Sequence, residues 1–429
     1  MLDKRLRQIA LFATLLVPLG LLHAFVMAEI CVAITDILFL VHSARTGGFA
    51  WVKRPWFIVA LLWWGWLMIC SLPLPWPGFG VAGWLLGFAQ AVVVIRLLLF
   101  TAALQNWLLT SARARRVAWI VLALSAAWIG LESWQQYLTG TNIFGDPRWV
   151  DGSLTGPFWK PRAGPLYAHL LFVALLPVVA ALFARPGWRG RVAGLALVVL
   201  GAATAVLIGQ RMGVALTGMG LVVAAFFMPR LRLPAILAVV VGVAVLLATP
   251  VISPATHGKL VGETTHNFDH FSKSPYGEIF TRATVMGLQS PWHGWGYNGY
   301  RVDCHLPRFD PGLPWLGIGP TSLQKAACIL QPQNFYIQSF ADAGFPGLIL
   351  FTALMLIWTF QPLRGLLRRP DPLRVGLFIA VLNFTWPIAS TDEFPTMYML
   401  GWFFFVLGFA LACTDIAVKS PETDMLKNG

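Results

Sequence analysis

The sequence predicts an all-α integral membrane protein of about twelve transmembrane helices, with one large, partly helical loop on the outer side. Three observations carry that prediction. Charged residues are 11% of the chain and hydrophobic ones 57%, whereas a soluble domain carries roughly 25% charged residues, so a single soluble globular unit is excluded. Apolar runs of about 17 to 25 residues, the length a helix needs to cross a hydrocarbon core, recur along the chain. Lys and Arg collect in alternate connections between those runs, the pattern that marks cytoplasmic loops.

The runs are centred near residues 9–27, 28–43, 56–72, 81–109, 117–138, 165–184, 191–209, 212–229, 233–250, 335–360, 373–391 and 396–415, the second being short. Lys4, Arg5 and Arg7, then Arg45, Lys53 and Arg54, then Arg113, Arg115 and Arg116, open a series of basic groups. Arg185, Arg189 and Arg191, Arg230 and Arg232, Arg364, Arg368, Arg369 and Arg374, and Lys419 and Lys427 continue it. Together they hold 20 of the 31 basic residues, which puts both termini inside and residues 251–334 outside, in the periplasm if the cell is Gram-negative. The chain then divides into nine spans with short loops (1–250), the outer loop (251–334), and three spans with a tail (335–429). The net charge of +13 is a topology signal, because nucleic-acid binding needs basic residues gathered on one exposed face. No nucleic-acid partner is expected.

The first span follows a basic segment as a signal peptide does, but no small-residue cleavage site follows Leu22 and a second apolar run begins at once, so a retained anchor is expected. Trp51, Trp56, Trp63, Trp64 and Trp66 gather near a span end, where indole rings favour the headgroup region. Arg96 falls inside the fourth span, where a charge is costly; a structural pair with Glu29 or Asp36 accounts for it, outside the site. Cys31, Cys70 and Cys413 lie in spans as packing residues. Cys304 and Cys328 share the oxidising outer loop and are expected to form a disulfide, worth on the order of 3 kcal/mol for a loop of about two dozen residues.

Residues able to do chemistry concentrate on the outer side. The 139–164 connection is rich in glycine, proline and aromatics, an irregular folded loop, and Lys160 and Arg162 stand just before the next helix, where they meet an anionic ligand or lipid phosphates. Ile208-Gly209-Gln210-Arg211-Met212-Gly213 joins two spans almost without a loop and leaves Arg211 at the outer membrane edge. In the large loop, residues 280–289 suggest a short amphipathic helix with Arg282 in its first turn, stopped by Ser290-Pro291. A glycine and aromatic loop, 292–300, follows, and the chain re-enters the membrane through Gln333-Asn334-Phe335. No P-loop, HExxH, paired CxxC, GxSxG or DxD-like motif is present. His266 and His270 are spaced to hold zinc on a helix, but no third ligand stands nearby; neither a metal nor a cofactor is expected. Arginine presents a permanent charge and a planar fork of donors to phosphate oxygens, so a cleft of Arg162, Arg211 and Arg282 would stabilise a departing pyrophosphate, which at this location is lipid-linked.

Gln333-Asn334 followed by Gly344-Phe345-Pro346-Gly347 resembles the signature of the O-antigen ligase family. Arg211 in its tight turn and Arg282 before Pro291-Trp292-His293-Gly294-Trp295-Gly296 are similar to the family's two functional arginines. The resemblance implies a metal-independent, inverting glycosyltransferase of the bacterial inner membrane. It would move a glycan from undecaprenyl pyrophosphate to the lipid A core of lipopolysaccharide on the periplasmic face. Catalytic roles then fall to Arg211, Arg282 and the Gln333 position, and substrate contacts to Arg162, Lys160, Asn334 and His305. Relatives polymerise O-antigen repeats or glycosylate proteins. A transporter or flippase of a lipid-linked glycan is the reading from another class, against which stand the scarcity of ionisable residues within the spans and the arginines at one face.

The chain departs from the family at Gln333, where a histidine is proposed to take the acceptor's proton. A carboxamide orients a hydroxyl but has no useful basicity. Either the substitution weakens turnover, or His305, His293 or Asp303 supplies the base, or the register is shifted; the intact flanking motif favours the first. On that reading Gln333→His keeps the fold and raises glycan transfer in a reconstituted assay, and equal rates for the two forms mean that no base acts at this position.

Overall fold

The structure is a computed structural model and describes residues 2–72, 84–321, 332–388, 394 and 397–425. It is all-helical: no strand forms among the described residues, and pairing is confined to the isolated bridges Thr141–Pro147 and Leu313–Ile318. α1 (Leu2–His23) and α2 (Phe25–Thr46) form a tight hairpin in which the Ala24 amide donates to the Gly20 carbonyl at 2.7 Å. A β-carbon on Gly20 would lie 2.7 Å from the Ala28 nitrogen, so glycine lets the two backbones meet. α2 is longer than the short second run suggested.

α3 (Pro55–Cys70), α4 (Trp84–Val93), α5 (Ile95–Asn106), α6 (Ala112–Thr139), α7 (Ala163–Ala184), α8 (Trp188–Ile208), α9 (Arg211–Phe227) and α10 (Arg232–Ile252) continue the bundle. The short α11 (Pro254–His257) and α12 (Glu263–Asp269), α13 (Pro275–Gln289) and the short α14 (Gly299–Asp303) belong to the large loop. α15 (Phe335–Phe360), α16 (Pro372–Thr385) and α17 (Met397–Met425) complete the chain. Nine helical stretches among the described residues are long and apolar enough to cross a membrane. Pro55–Cys70, Arg211–Phe227 and Pro372–Thr385 are shorter apolar helices, and they stand where the other three spans were expected. The chain is therefore an all-helical multi-pass membrane protein. Its core runs through α7, α16 and α17, where Trp402, Phe403, Phe404 and Phe405 are fully buried.

Within the loop, α13 begins five residues before the expected 280–289 helix. Ser274 supplies the reason: its hydroxyl accepts from the Gly277 amide at 3.1 Å, and Pro275 at the first helical position has no amide to leave unpaired.

The loop is fastened to the bundle at a break in α15. Gly344 sits at φ +64 inside that helix, and Pro346 has no N–H for the carbonyl four residues back. The carbonyls of Ala341, Asp342 and Ala343 are thus left without their helical partners, a costly state at membrane depth. Each is satisfied from outside the helix. The Trp295 amide donates to Ala341, the Gly296 amide to Asp342, and the Trp66 indole to Ala343, all at 2.9 Å. In return the Phe345 amide donates to the Pro291 carbonyl at 2.7 Å. The same loop reaches α3 and α4: the Tyr297 amide donates to Ser71 Oγ at 2.9 Å, and a β-carbon on Gly87 would lie 2.6 Å from the Tyr297 carbonyl oxygen.

Gly294 holds that contact at φ +63, and a β-carbon there would lie 2.3 Å from the Asp342 carbonyl carbon. Gly317 has a similar φ of +70 but open space around it. Gly294→Ala is expected to lower the midpoint of thermal unfolding in detergent by clearly more than Gly317→Ala, which bears only the backbone strain of about 1 to 3 kcal/mol. Equal shifts would show that the loop does not depend on this docking.

Candidate functional site

Where the large loop meets the bundle, a cavity of about 530 Å³ opens. α2 supplies Phe25 and Glu29, α4 Gln90 and Val93, and α5 Arg96; Arg162 comes from the turn before α7. The docked loop and α14 add Tyr297, Asn298 and Arg301, and α17 adds Tyr398. Among its described residues the charged lining is therefore three arginines and one glutamate. Such a wall favours an anion carrying more than one negative charge.

Each charged group is held by its element. Arg96 Nη2 donates to Glu29 Oε1 at 2.8 Å and Nη1 to the Val93 carbonyl at 3.0 Å. The expected Arg96 and Glu29 pair thus forms, but in the wall of the cavity. Arg162 lies with its guanidinium 3.8 Å over the Tyr398 ring, a cation–π contact that uses the face of the group and leaves its N–H fork for a ligand. The turn carrying Arg162 is fixed where the Gly164 amide donates to Gln210 Oε1 at 2.9 Å. Asn298, at φ +64, caps α14 and donates through Nδ2 to Gln90 Oε1. Phe25 and Val93 join the cavity to exposed apolar surface, which continues along α4 through Leu85 and Leu86.

The three arginines expected to share one cleft are separated by their partners. Arg162 alone of them lines the cavity. Arg211, on the adjacent turn, faces Glu263, with Nη2 3.5 Å from Oε2 and Nη1 3.3 Å from the Glu263 carbonyl oxygen. Arg282 is 1% exposed, inside the loop's own small core with Ile279, Met286, Tyr300 and Phe309. It donates to Thr321 Oγ1 at 3.2 Å and to the Cys304 carbonyl, and pairs with Asp310. Those contacts make Arg282 an organiser of the loop fold, and it does not line the cavity.

The other expected residues are distributed as follows. Lys160 Nζ lies 4.3 Å over the Trp159 ring, and His305 is exposed. Asn334 is the N-cap of α15, its Oδ1 accepting from the Tyr336 and Ile337 amides at 3.0 and 3.1 Å while Nδ2 donates to the Pro387 carbonyl at 2.7 Å. That role engages both ends of its carboxamide, and Asn334 does not line the cavity. Gln333 stands just before the cap at φ +56, a left-handed conformation uncommon outside glycine. Gln333 itself does not line the cavity; two residues on, the Phe335 ring lies 5.3 Å from that of Phe394, whose carbonyl accepts from the hydroxyl of Tyr297 in the cavity wall.

Of the other proposed bases, His293 Nδ1 lies 3.0 Å from Ser290 Oγ and 2.8 Å from the Gly294 carbonyl oxygen. Asp303 is buried beside Arg308, and that burial raises its carboxyl above the usual range, opposed by Arg308 and His305. Cys304 is buried and disulfide-bonded; its expected partner Cys328 lies outside the described residues. His266 and His270 have ring centroids 5.0 Å apart, and no group of three or more His, Cys, Asp or Glu able to hold a metal occurs among the described residues.

Sequence reasoning placed Arg96 and its candidate partner Glu29 outside the site and passed over Arg301. The costly intramembrane charge was the available signal for the first two. Nothing local distinguished Arg301, which enters the wall with the docked loop that carries α14.

The fold and the cavity define a multi-pass membrane protein with a cationic site at the loop end of its bundle. The segment that builds the loop and its docking, residues 196–352, matches the family model described as O-Antigen ligase, Wzy_C. No curated protein matches the chain. The matched segment contains Arg211, Arg282, Arg301 and Gln333, whereas Glu29, Arg96 and Arg162 lie before it.

Arg282→Ala is expected to loosen the loop, so that limited proteolysis of the purified protein cuts between residues 290 and 321, since stripping one partner from a buried pair costs about 3 to 5 kcal/mol. Arg211→Ala, which removes only a partly exposed pair worth about 1 kcal/mol or less, should leave the digestion pattern of the parent.

Proposed function

We propose that this chain is a glycosyltransferase that moves a glycan from undecaprenyl pyrophosphate to an acceptor hydroxyl at the outer membrane face, with the lipid A core as acceptor in the manner of an O-antigen ligase. The observation that carries this reading is the cavity lined by Arg96, Arg162 and Arg301. The basic residues of the loops favour both termini inside, which places this cavity outside.

The diphosphate enters among the three guanidinium groups, whose donors meet its oxygens and whose charge stabilises the leaving group as the glycosidic bond breaks. Beside it the exposed apolar surface of Phe25, Val93, Leu85 and Leu86 suits the polyprenyl tail. Arg211, next to the Arg162 turn and held by a glutamate that is 51% exposed, supplies a further guanidinium when a phosphate outcompetes that screened carboxylate. Gln333 orients the acceptor hydroxyl. The docked 290–300 segment covers the reacting carbon and limits hydrolysis of the donor.

Proteoliposomes given undecaprenyl-pyrophosphate glycan and lipid A core test this directly, with product read as a shift to higher mass on a gel. Arg162→Ala and Arg301→Ala should each lower transfer about 100- to 1,000-fold, the usual loss when one such donor is removed, and should weaken binding of the lipid pyrophosphate. Movement of the lipid-linked glycan across the bilayer without transfer would favour the transporter reading instead.

A further inference from the structure

The proposed transfer requires a proton acceptor, and Gln333 has no basicity to offer. Of the other groups named for that role, His305 is exposed, His293 faces Ser290 and the Gly294 carbonyl, and Asp303 is buried against Arg308. None of them lines the cavity. Glu29 does, and it is the one carboxylate among the cavity's described lining.

We propose that Glu29 is the general base of the reaction; this rests on the glycosyl-transfer reading of the same cavity. Glu29 lies on α2 one helical turn from Phe25, which also lines the cavity, so both project from one face of the helix. An ion pair made only to neutralise two charges in a membrane would be expected to close off from ligands. Here the Glu29 side chain is 39% exposed and that of Arg96 19%.

The chemistry balances within the cavity. The acceptor hydroxyl gives its proton to the Glu29 carboxylate as its oxygen forms the bond to the anomeric carbon. The bond from that carbon to the pyrophosphate oxygen breaks on the opposite side, and the electron pair leaves with the pyrophosphate. Arg96 bridges the two halves, bonded to Glu29 on one side and open to the diphosphate on the other. As the diphosphate draws the guanidinium, the carboxylate is released toward the acceptor. The charged and titratable groups facing Glu29 are Arg96 from α5, Arg162 from the turn before α7, Arg301 from α14, and the phenols of Tyr297 and Tyr398; Asp36 lies two turns deeper on its own helix.

Glu29→Gln keeps the length of the side chain and an oxygen for Arg96. In proteoliposomes it should lower the transfer rate at saturating substrates by about 100- to 10,000-fold, the usual contribution of a general base. The Kd for undecaprenyl-pyrophosphate glycan should stay within about twofold, and the parent should show a fall in rate toward acid pH that this variant lacks. Glu29→Asp, which retains a carboxylate, should recover part of the rate and keep the acid limb. The proposal is overturned if Glu29→Gln transfers at the parental rate, or if it loses donor affinity and rate in equal measure, which would make Glu29 only a support for Arg96. Absence of transfer by the parent protein itself would overturn the glycosyltransferase reading, a different outcome from any difference between parent and variant.

Discussion

The backbone exchange between the 290–296 loop and the break in α15 is the contact on which the rest of this structure depends. A helix that breaks inside or at the edge of a membrane exposes carbonyls that lipid cannot satisfy. Here Gly344 and Pro346 make the break, and Trp295, Gly296 and Trp66 satisfy the three carbonyls it exposes. The two glycine-containing strings of the sequence, separated by about fifty residues, are thus the two halves of one contact. Because the loop is pinned backbone to backbone, Tyr297, Asn298 and Arg301 are delivered to the cavity wall by a short rigid tether.

The cavity combines two kinds of support. Arg96 is held from within the bundle by Glu29 and by the Val93 carbonyl, whereas Arg162 is held at the surface by the Tyr398 ring. Neither arrangement hides the guanidinium from a ligand. Arg282 shows the opposite arrangement: enclosed in the loop core with its donors taken by Asp310, Thr321 and the Cys304 carbonyl, it shapes the loop that brings Arg301 into place. A charge that resembles a substrate ligand by its position in the sequence can therefore lie enclosed in a loop core, away from the cavity.

Much of the fold was legible because its signals are local. Apolar length and the alternation of basic groups marked every span that appears as an apolar helix, and Ser290-Pro291 marked the end of α13. The start of α13 was missed because the cap at Ser274 and Pro275 lies in a stretch without apolar periodicity. The site was legible only in part, for a physical reason. Arg162 and Arg211 stand out in sequence because short turns hold them at span ends. Which way their side chains face depends on Tyr398 and Glu263, residues more than two hundred and about fifty positions away. Asn334 could have been recognised as a cap from its place before an apolar run, whereas the presence of Arg301 and Glu29 in one cavity wall is set by tertiary docking alone.

The cavity is built from both sides of the boundary of the family segment. Arg301, Tyr297 and Asn298 come from residues 196–352, while Glu29, Arg96 and Arg162 come from the preceding half of the chain. An exchange of that first half between two relatives would therefore replace much of the cavity wall, and would keep the backbone contact between the 290–296 loop and α15 while replacing the supports from Trp66 and Ser71. Divergence in that first half is then a route to a differently lined cavity beside an unchanged loop.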